Sequence, residues 1–294
     1  MDYAIAKPFV PLVWLEPAHE SRLPILLDSP HSGVEYPPDF LYAVDFGLLR
    51  RAEDTYVDHL YGDAPTYGAT LLAARFPRSY IDCNRALEDF DAELIEDRWL
   101  GPINPSSKTR LGKGLVWRLL DGGEAIYARK LSAEEVRRRI VICYQPYWAA
   151  LRERARALLN EFGALWHLNC HSMPSVAQAY TTETPGVRHA DFVLGDRCGT
   201  TCDPQFTALI ADTLRGFGYE VKLNDPYQGV EIVRALGDPA SGVSSLQIEI
   251  NRALYMDEET LVPHDGYATL HSHIRQLLGV VVAFARERSA VGQS

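Results

Sequence analysis

Pro24-Ile25-Leu26-Leu27-Asp28-Ser29-Pro30-His31-Ser32-Gly33 is the stretch from which the rest of this 294-residue chain can be placed. Its apolar run, Ile25 to Leu27, reads as a buried parallel strand of four to six residues. The strand must stop at Ser29-Pro30-His31-Ser32-Gly33, where proline and glycine forbid its continuation. Ligands of open α/β sheets gather just beyond the carboxyl ends of strands, so His31 stands where chemistry is expected. The pattern recurs once. Ala164-Leu165-Trp166-His167-Leu168-Asn169 is again apolar and strand-like, and Cys170-His171-Ser172-Met173-Pro174 follows. Two strands ending in His-Ser point to two imidazoles meeting at one object, expected to be a metal ion.

Working outward, Leu48, Leu49, Ala52, Val57, Leu60 and Tyr61 form an apolar stripe that predicts a helix from about Gly47 to Tyr61. Asp54 and Asp58, four apart, then share a face. Tyr67–Ala74 reads as a strand, and Arg78–Arg85 as a second extended piece rich in polar groups. Frequent Pro and Gly over 87–123 predict long loops over the site. A capping box at Ser132–Glu135 opens a long helix through Tyr147 to Leu159, kinked or broken at Pro146. The second His-bearing strand, a loop at 174–190 and a strand near Asp191–Leu194 follow. A helix at Pro204–Phe217 ends at Gly218. Val221–Leu223 leads into the turn-rich Asn224–Gly229, Ser244–Ile250 is the last central strand, and Leu261–Arg288 contains a closing helix. Residues 1–23, with Pro8, Pro11 and Pro17, read as an irregular lead-in. With no linker or repeat in sight, one domain over 1–294 is expected. Strands alternating with helices predict a three-layer α/β/α sandwich around a mixed, mainly parallel central sheet.

Hydrophobic content of 47% and charged content of 23% describe a globular chain with a sizeable core. The net charge of −10 argues against nucleic acid or an anionic membrane as partner, since either would be repelled. An anionic small molecule would need positive charge concentrated locally. The five scattered cysteines contain no Cys-x-x-Cys, so reduced thiols are expected. With no signal-peptide pattern and no membrane-length apolar run, the expected location is cytoplasmic.

Zinc in hydrolytic sites commonly takes three protein ligands and keeps one position open. His31 and His171 are the first two candidates, against the ordinary alternative of structural, hydrogen-bonded histidines. Glu35, Glu53, Asp54 and Asp58 are the carboxylates available as the third. Asp54 is preferred, because its helix begins soon after the His31 loop and can return beneath the strand edge. Glu249 is a carboxylate alternating with apolar residues in Leu246-Gln247-Ile248-Glu249-Ile250-Asn251-Arg252. Burying it unpaired would cost several kcal/mol, so it either pairs with Arg252 or serves as a base. Arg78 and Asn84-Arg85 flank another polar stretch. The arginine fork suits bidentate carboxylate recognition, and surface ion pairs are its commoner fate.

These residues also carry a resemblance. Pro30-His31-Ser32-Gly33 with Tyr36-Pro37, Asp54 with Asp58-x-Leu60-Tyr61, and Arg78-x-Tyr80-Ile81-Asp82-x-Asn84-Arg85 resemble the N-formylglutamate amidohydrolase family. Pro146-Tyr147 with Leu151, His171-Ser172-Met173 and Gln247–Arg252 extend the likeness, in the family's order, over residues 24 to 275. The resemblance implies a zinc-carboxypeptidase-like α/β fold and hydrolysis of N-formyl-L-glutamate to formate and L-glutamate, a step of histidine breakdown. It implies one Zn²⁺ on His31, Asp54 and His171, although mixed N/O ligation suits other divalent metals too. Asn84 and Arg85, with Arg252, would hold the substrate carboxylate. Glu249 would be the base, and Arg78 would stabilise the oxyanion. The chain departs from the family at four places. Val34 replaces the second ligand of the carboxypeptidase His-x-x-Glu, Trp148 a common His, Asn169 a common Asp, and Gln228-Gly229 a Gly-Gly pair. Two other readings stand beside this one: a deacylase or peptidase acting on another N-acyl amino acid or short peptide, and a non-catalytic binder of acidic small molecules.

Overall fold

The computed structural model describes residues 9–179 and 184–291. Seven strands are present among them: β1 (Leu12–Leu15), β2 (Ile25–Ser29), β3 (Thr70–Ala74), β4 (Leu165–Met173), β5 (Phe192–Gly195), β6 (Val221–Leu223) and β7 (Val243–Asn251). They form one sheet in the order β1-β3-β2-β4-β7-β5-β6. Pairing is parallel except for β1 with β3 and β5 with β7. The fold is therefore α/β with a mixed, mainly parallel sheet. Its helices are α1 (Phe46–Arg50), α2 (Val57–Leu60), α3 (Ser107–Arg110), α4 (Ala133–Arg139), α5 (Gln145–Phe162), α6 (Pro204–Gly216), α7 (Glu231–Leu236) and α8 (Gly266–Val291). No helix among the described residues is long and apolar enough to cross a membrane.

Strand alternation divides the core. Leu26 and Leu72 pack with Leu151 and Leu158 of α5, whereas Ile25, Leu27 and Leu71 pack with Phe206 and Ile210 of α6 and Ile274 and Leu277 of α8. Successive side chains of a strand point to opposite faces, so each face of the sheet feeds its own apolar cluster. That is why β2, β4 and β7 are buried at every position. β4 and β7 run parallel over their whole lengths, from Leu165 opposite Val243 to Met173 opposite Asn251, which sets His171 beside Glu249. β2 has β3 on one flank and β4 on the other. The strand order reverses there, and such a switch point opens a crevice at the carboxyl ends. His31 lies just past the end of β2, whereas His171 sits within β4.

Several expectations need correction. The helix expected over Gly47–Tyr61 is two short helices, α1 and α2, separated by turns. The break has a cause. Asp54 N donates to His31 O at 3.0 Å, and Tyr56 takes a left-handed φ of 66°, so Asp54 turns inward and no longer shares a helix face with Asp58. Arg78–Arg85 joins no strand ladder. It runs as compact turns, with Asp82 N donating to Leu115 O. The lead-in contains the edge strand β1, while residues 1–8 lie outside the described residues. The stretch 87–123 is mostly loop as expected, yet Phe90, Leu94, Leu115, Val116 and Leu120 bury themselves in the α5-side cluster. Pro146 neither breaks nor ends its helix, because a π turn over Ile140–Tyr144 carries α4 into α5. Of the loop at 174–190, residues 180–183 lie outside the described residues.

Gly33 shows how tightly the His31 turn is seated. A Cβ there would stand 2.3 Å from Phe76 O and 2.4 Å from Arg75 C, backbone atoms that cannot rotate away. Gly33→Ala is expected to lower the unfolding free energy by about 1–3 kcal/mol, read as a reduced urea midpoint. An unchanged midpoint would show slack in the turn.

Candidate active site

His31, Asp54 and His171, all buried, bring one ligand atom each to within 4.8 Å of one another. The hydrogen bonds behind them decide which atoms these are. His31 Nε2 faces Asp82 Oδ1 at 2.7 Å. A carboxylate can only accept, so Nε2 carries a proton toward Asp82 and Nδ1 is the atom turned to the cluster. That Nδ1 is buried without a hydrogen-bond partner, 3.4 Å from Asp54 Oδ2. His171 repeats the arrangement. Asn169 Nδ2 donates to Asp28 Oδ1 at 2.8 Å, which turns Asn169 Oδ1 toward His171 Nε2, also at 2.8 Å. His171 Nδ1 lies 3.0 Å from Asp54 Oδ2 and hydrogen-bonds to it, so both imidazoles turn Nδ1 to the same carboxylate oxygen. Two imidazole Nδ1 atoms and one carboxylate oxygen thus converge, and a cation there would take the place of the proton on the nitrogens. Such a donor set suits a divalent cation, and imidazoles whose remote N–H is held by a carboxylate or carbonyl are the usual form of histidine ligands.

The charges around this point are ordered. Asp54 Oδ1 accepts from Arg78 Nη1 at 3.2 Å and Arg252 Nη2 at 3.0 Å. Burial pushes the Asp54 carboxyl upward, but Arg78, His171 and His31 outweigh it and hold the group well below the usual carboxylate range. Asp82 is likewise pushed up by burial and drawn well down by His31, Arg78 and Arg85. It also accepts from Trp117 Nε1 at 3.2 Å. Burial depresses His171, favouring the neutral ring. Glu249 goes the other way. Burial, and then the Asp54 charge, lift it to about 8.

A cavity of about 680 Å³ opens over these groups, and His31, Arg78, Asn84, Arg85, His171, Glu249 and Arg252 all line it. Glu249 makes no ion pair with Arg252; its Oε1 accepts from Gln247 Nε2 at 2.8 Å. Arg252 is instead fully engaged around Asp54, with Nε on Ser172 Oγ and Nη1 on Arg51 O. Arg78 is similarly occupied by Asp54 and Asp82, with its guanidinium carbon 4.8 Å from the Trp117 ring centre. Asn84 Oδ1 accepts from Ile232 N at 2.9 Å, and its Nδ2 lies 3.1 Å from His171 Nε2. Arg85 is steadied by two carbonyls, Lys113 O and Asn84 O, and by Asp89, whose Oδ2 lies 3.8 Å from its Nε. Of the other carboxylates weighed as a ligand, Glu53 bonds the Tyr36 hydroxyl and Glu35 pairs with Arg75 at the surface.

Sequence reasoning assigned no role to Asp82 or Asp28. Asp82 holds His31, and Asp28, through Asn169, holds His171. Asp28 also accepts from the Tyr147 hydroxyl at 2.7 Å and faces His167 Nε2 at 3.0 Å. A signal existed for Asp28, a carboxylate inside an apolar strand, the same anomaly that singles out Glu249.

The fold and donor set define an α/β protein with a buried two-histidine, one-aspartate cluster at a sheet switch point, open to a cavity. A model of the N-formylglutamate amidohydrolase family matches residues 23–256, and the chain belongs to that family. It is 31% identical over 280 residues to N-formylglutamate deformylase of Pseudomonas aeruginosa, covering 92% of this chain and 96% of that protein. The Pseudomonas putida N-formylglutamate deformylase is 30% identical over 285 residues, with the same coverage. Among solved structures, N-formylglutamate amidohydrolase of Ralstonia eutropha JMP134 superposes with a TM-score of 0.91 at 46% identity, over 95% of this chain and 99% of that one. A gene product of Agrobacterium tumefaciens, 19% identical with a TM-score of 0.63 over 92% and 96% of the two chains, shares the fold.

Asp82→Asn leaves Arg78 and His31 facing a neutral amide in a buried setting, and unfolding free energy at pH 7 is expected to fall by about 3–5 kcal/mol. Asp54 and Asp82 are both depressed in the fold. Their contribution is complete above the unfolded carboxylate value and disappears as pH falls through the lower folded values. The wild type should therefore lose stability on acidification below about pH 4, and D82N should lose less, in urea titrations run from neutral to acid pH.

Proposed function

We propose that the chain hydrolyses the formamide bond of N-formyl-L-glutamate, releasing formate and L-glutamate, with one divalent cation, zinc, held by His31 Nδ1, His171 Nδ1 and Asp54 Oδ2. The observation that carries the proposal is the orphaned, buried Nδ1 of His31 facing the same carboxylate oxygen as His171 Nδ1. Family membership and the deformylase relatives support the substrate. The apolar clusters on both faces of the sheet support the finer description of the fold as a carboxypeptidase-like three-layer sandwich. The reduced-thiol reading of the five free cysteines keeps a cytoplasmic location part of the proposal.

When bound, the cation supplies Lewis acidity toward the formyl oxygen and toward water. Glu249 takes the proton released as water adds to the formyl carbon and returns it to the leaving nitrogen as the C–N bond breaks. Glu249 is the carboxylate on the cavity wall beside His171, placed for that exchange. The Arg78 charge faces the cavity from the second layer and stabilises the developing oxyanion. Arg85 receives a substrate carboxylate at the cavity wall, with Asn84 fixing its neighbour and His171. Arg252 contributes by fixing Asp54.

His31→Ala and His171→Ala are each expected to reduce bound zinc in freshly purified protein from near one per chain to a trace, and to abolish turnover. Retention of stoichiometric metal by either variant would remove the metal centre from the proposal. Glu249→Gln should keep the metal and change KM little, while kcat falls by roughly 10²–10⁴. Full kcat in E249Q would exclude the assigned proton transfer. Turnover of N-formyl-glutamate against N-acetyl and N-succinyl analogues separates formyl hydrolysis from a broader deacylase.

A further inference from the structure

Arg197 also lines the cavity, and sequence reasoning passed it over. It follows the end of β5 on a turn built with unusual rigidity. Arg197 and Cys198 have φ of 52° and 57°, and Asn224 across from them has 57°, left-handed conformations that non-glycine residues hold only when their surroundings impose them. Those surroundings are visible. Asn224 Oδ1 accepts from both Asp196 N and Cys198 N at 3.2 Å, and Asn224 Nδ2 donates to Asp196 Oδ1 at 2.8 Å. Asp196 also takes Gly199 N and the Thr207 hydroxyl. The loop ending at Gly229 lies directly on β5, because a Cβ on Gly195 would stand 2.5 Å from Gly229 N. Arg197 N donates to Gln228 O, and its Nη1 to Gly229 O at 3.0 Å.

One face of the guanidinium is thereby fixed by a carbonyl. Among the described residues it has no carboxylate partner, which sets it apart from Arg78 and Arg252. A half-buried arginine, steadied by neutral acceptors and turned to a cavity, is prepared for an anion that is not part of the protein. Resting on the reading given under the proposed function, we infer that Arg197 receives the side-chain carboxylate of the substrate and selects N-acyl dicarboxylic amino acids over neutral ones. Placement decides which carboxylate. Arg85 adjoins Asn84, which touches His171, so Arg85 stands near the scissile amide and faces the α-carboxylate beside it. The hydrogen bonds of Arg197 run to Gln228, Gly229 and Thr200 and none to the His31–Asp54–His171 cluster, so Arg197 is assigned the far end of the substrate.

The test compares N-formylglutamate with N-formylglutamine, its neutral near-isostere, in wild type, R197Q and R197A. The ratio of the two kcat/KM values within one preparation is independent of how much of the variant is folded. It is expected to fall roughly 10- to 100-fold in both variants, through KM more than kcat. A ratio unchanged from wild type would overturn the assignment. Calorimetric binding of L-glutamate and L-glutamine to the same proteins decides the matter separately from catalysis. A wild-type preference for glutamate that R197Q abolishes supports Arg197 even if neither formyl compound is turned over, in which case only the catalytic reading fails. Equal binding of the two amino acids by wild type would overturn the Arg197 assignment and leave hydrolysis standing.

Discussion

The structure depends on one buried carboxylate. Asp54 stands between two guanidiniums on one oxygen and two imidazoles on the other. Taking such a charge from water is tolerable only when it is paired and hydrogen-bonded on every side. Meeting that requirement draws together parts of the chain distant in sequence: the turn after β2, the break between α1 and α2, the polar turns at 78–85, and the ends of β4 and β7. The sheet supplies the place, since its order reverses between β2 and β4, and the ion cluster ties the loops across that place.

Much of the scaffold was legible because the apolar starts of β2 and β4, and the Leu246, Ile248 and Ile250 of β7, mark buried strands. The meeting of His31 with His171 follows from their strands being neighbours. What periodicity could not show was where tertiary demands override it. The apolar stripe from Leu48 to Tyr61 is real, since Leu49, Val57, Leu60 and Tyr61 are all buried, yet the helix is broken because Asp54 must face inward and Tyr56 goes left-handed to let it. A hydrophobic pattern records which residues are inside and says nothing of a single residue with positive φ. Of the two readings left open for Glu249, the pair with Arg252 is absent for a related reason. Adjacency suggested it, but the stronger, fully buried Asp54 charge claimed the arginine.

An acidic chain reading an acidic ligand looks paradoxical only at the level of net charge. The −10 total is a long-range property, screened within about 10 Å at ordinary ionic strength. Positive charge is gathered locally at the cavity, where Arg197 is held by a carbonyl, which orients a guanidinium without neutralising it, and Arg85 by two carbonyls with Asp89 at 3.8 Å.

The π turn before Pro146 has a consequence for how this chain can change over time. Pro146 lacks the N–H that would reach back one turn, and the widened Ile140–Tyr144 segment absorbs the mismatch while the helix runs on. The residue gained there is taken up within the turn, so the helix after it holds its azimuth, with Tyr147 reaching Asp28 and Trp148 reaching Cys83 O. Deleting one residue from the segment would restore ordinary winding and leave those side chains in place, but the Pro146 ring would then meet the carbonyl one α turn back. A lineage of this fold can shorten that helix there only by giving up its proline in the same step.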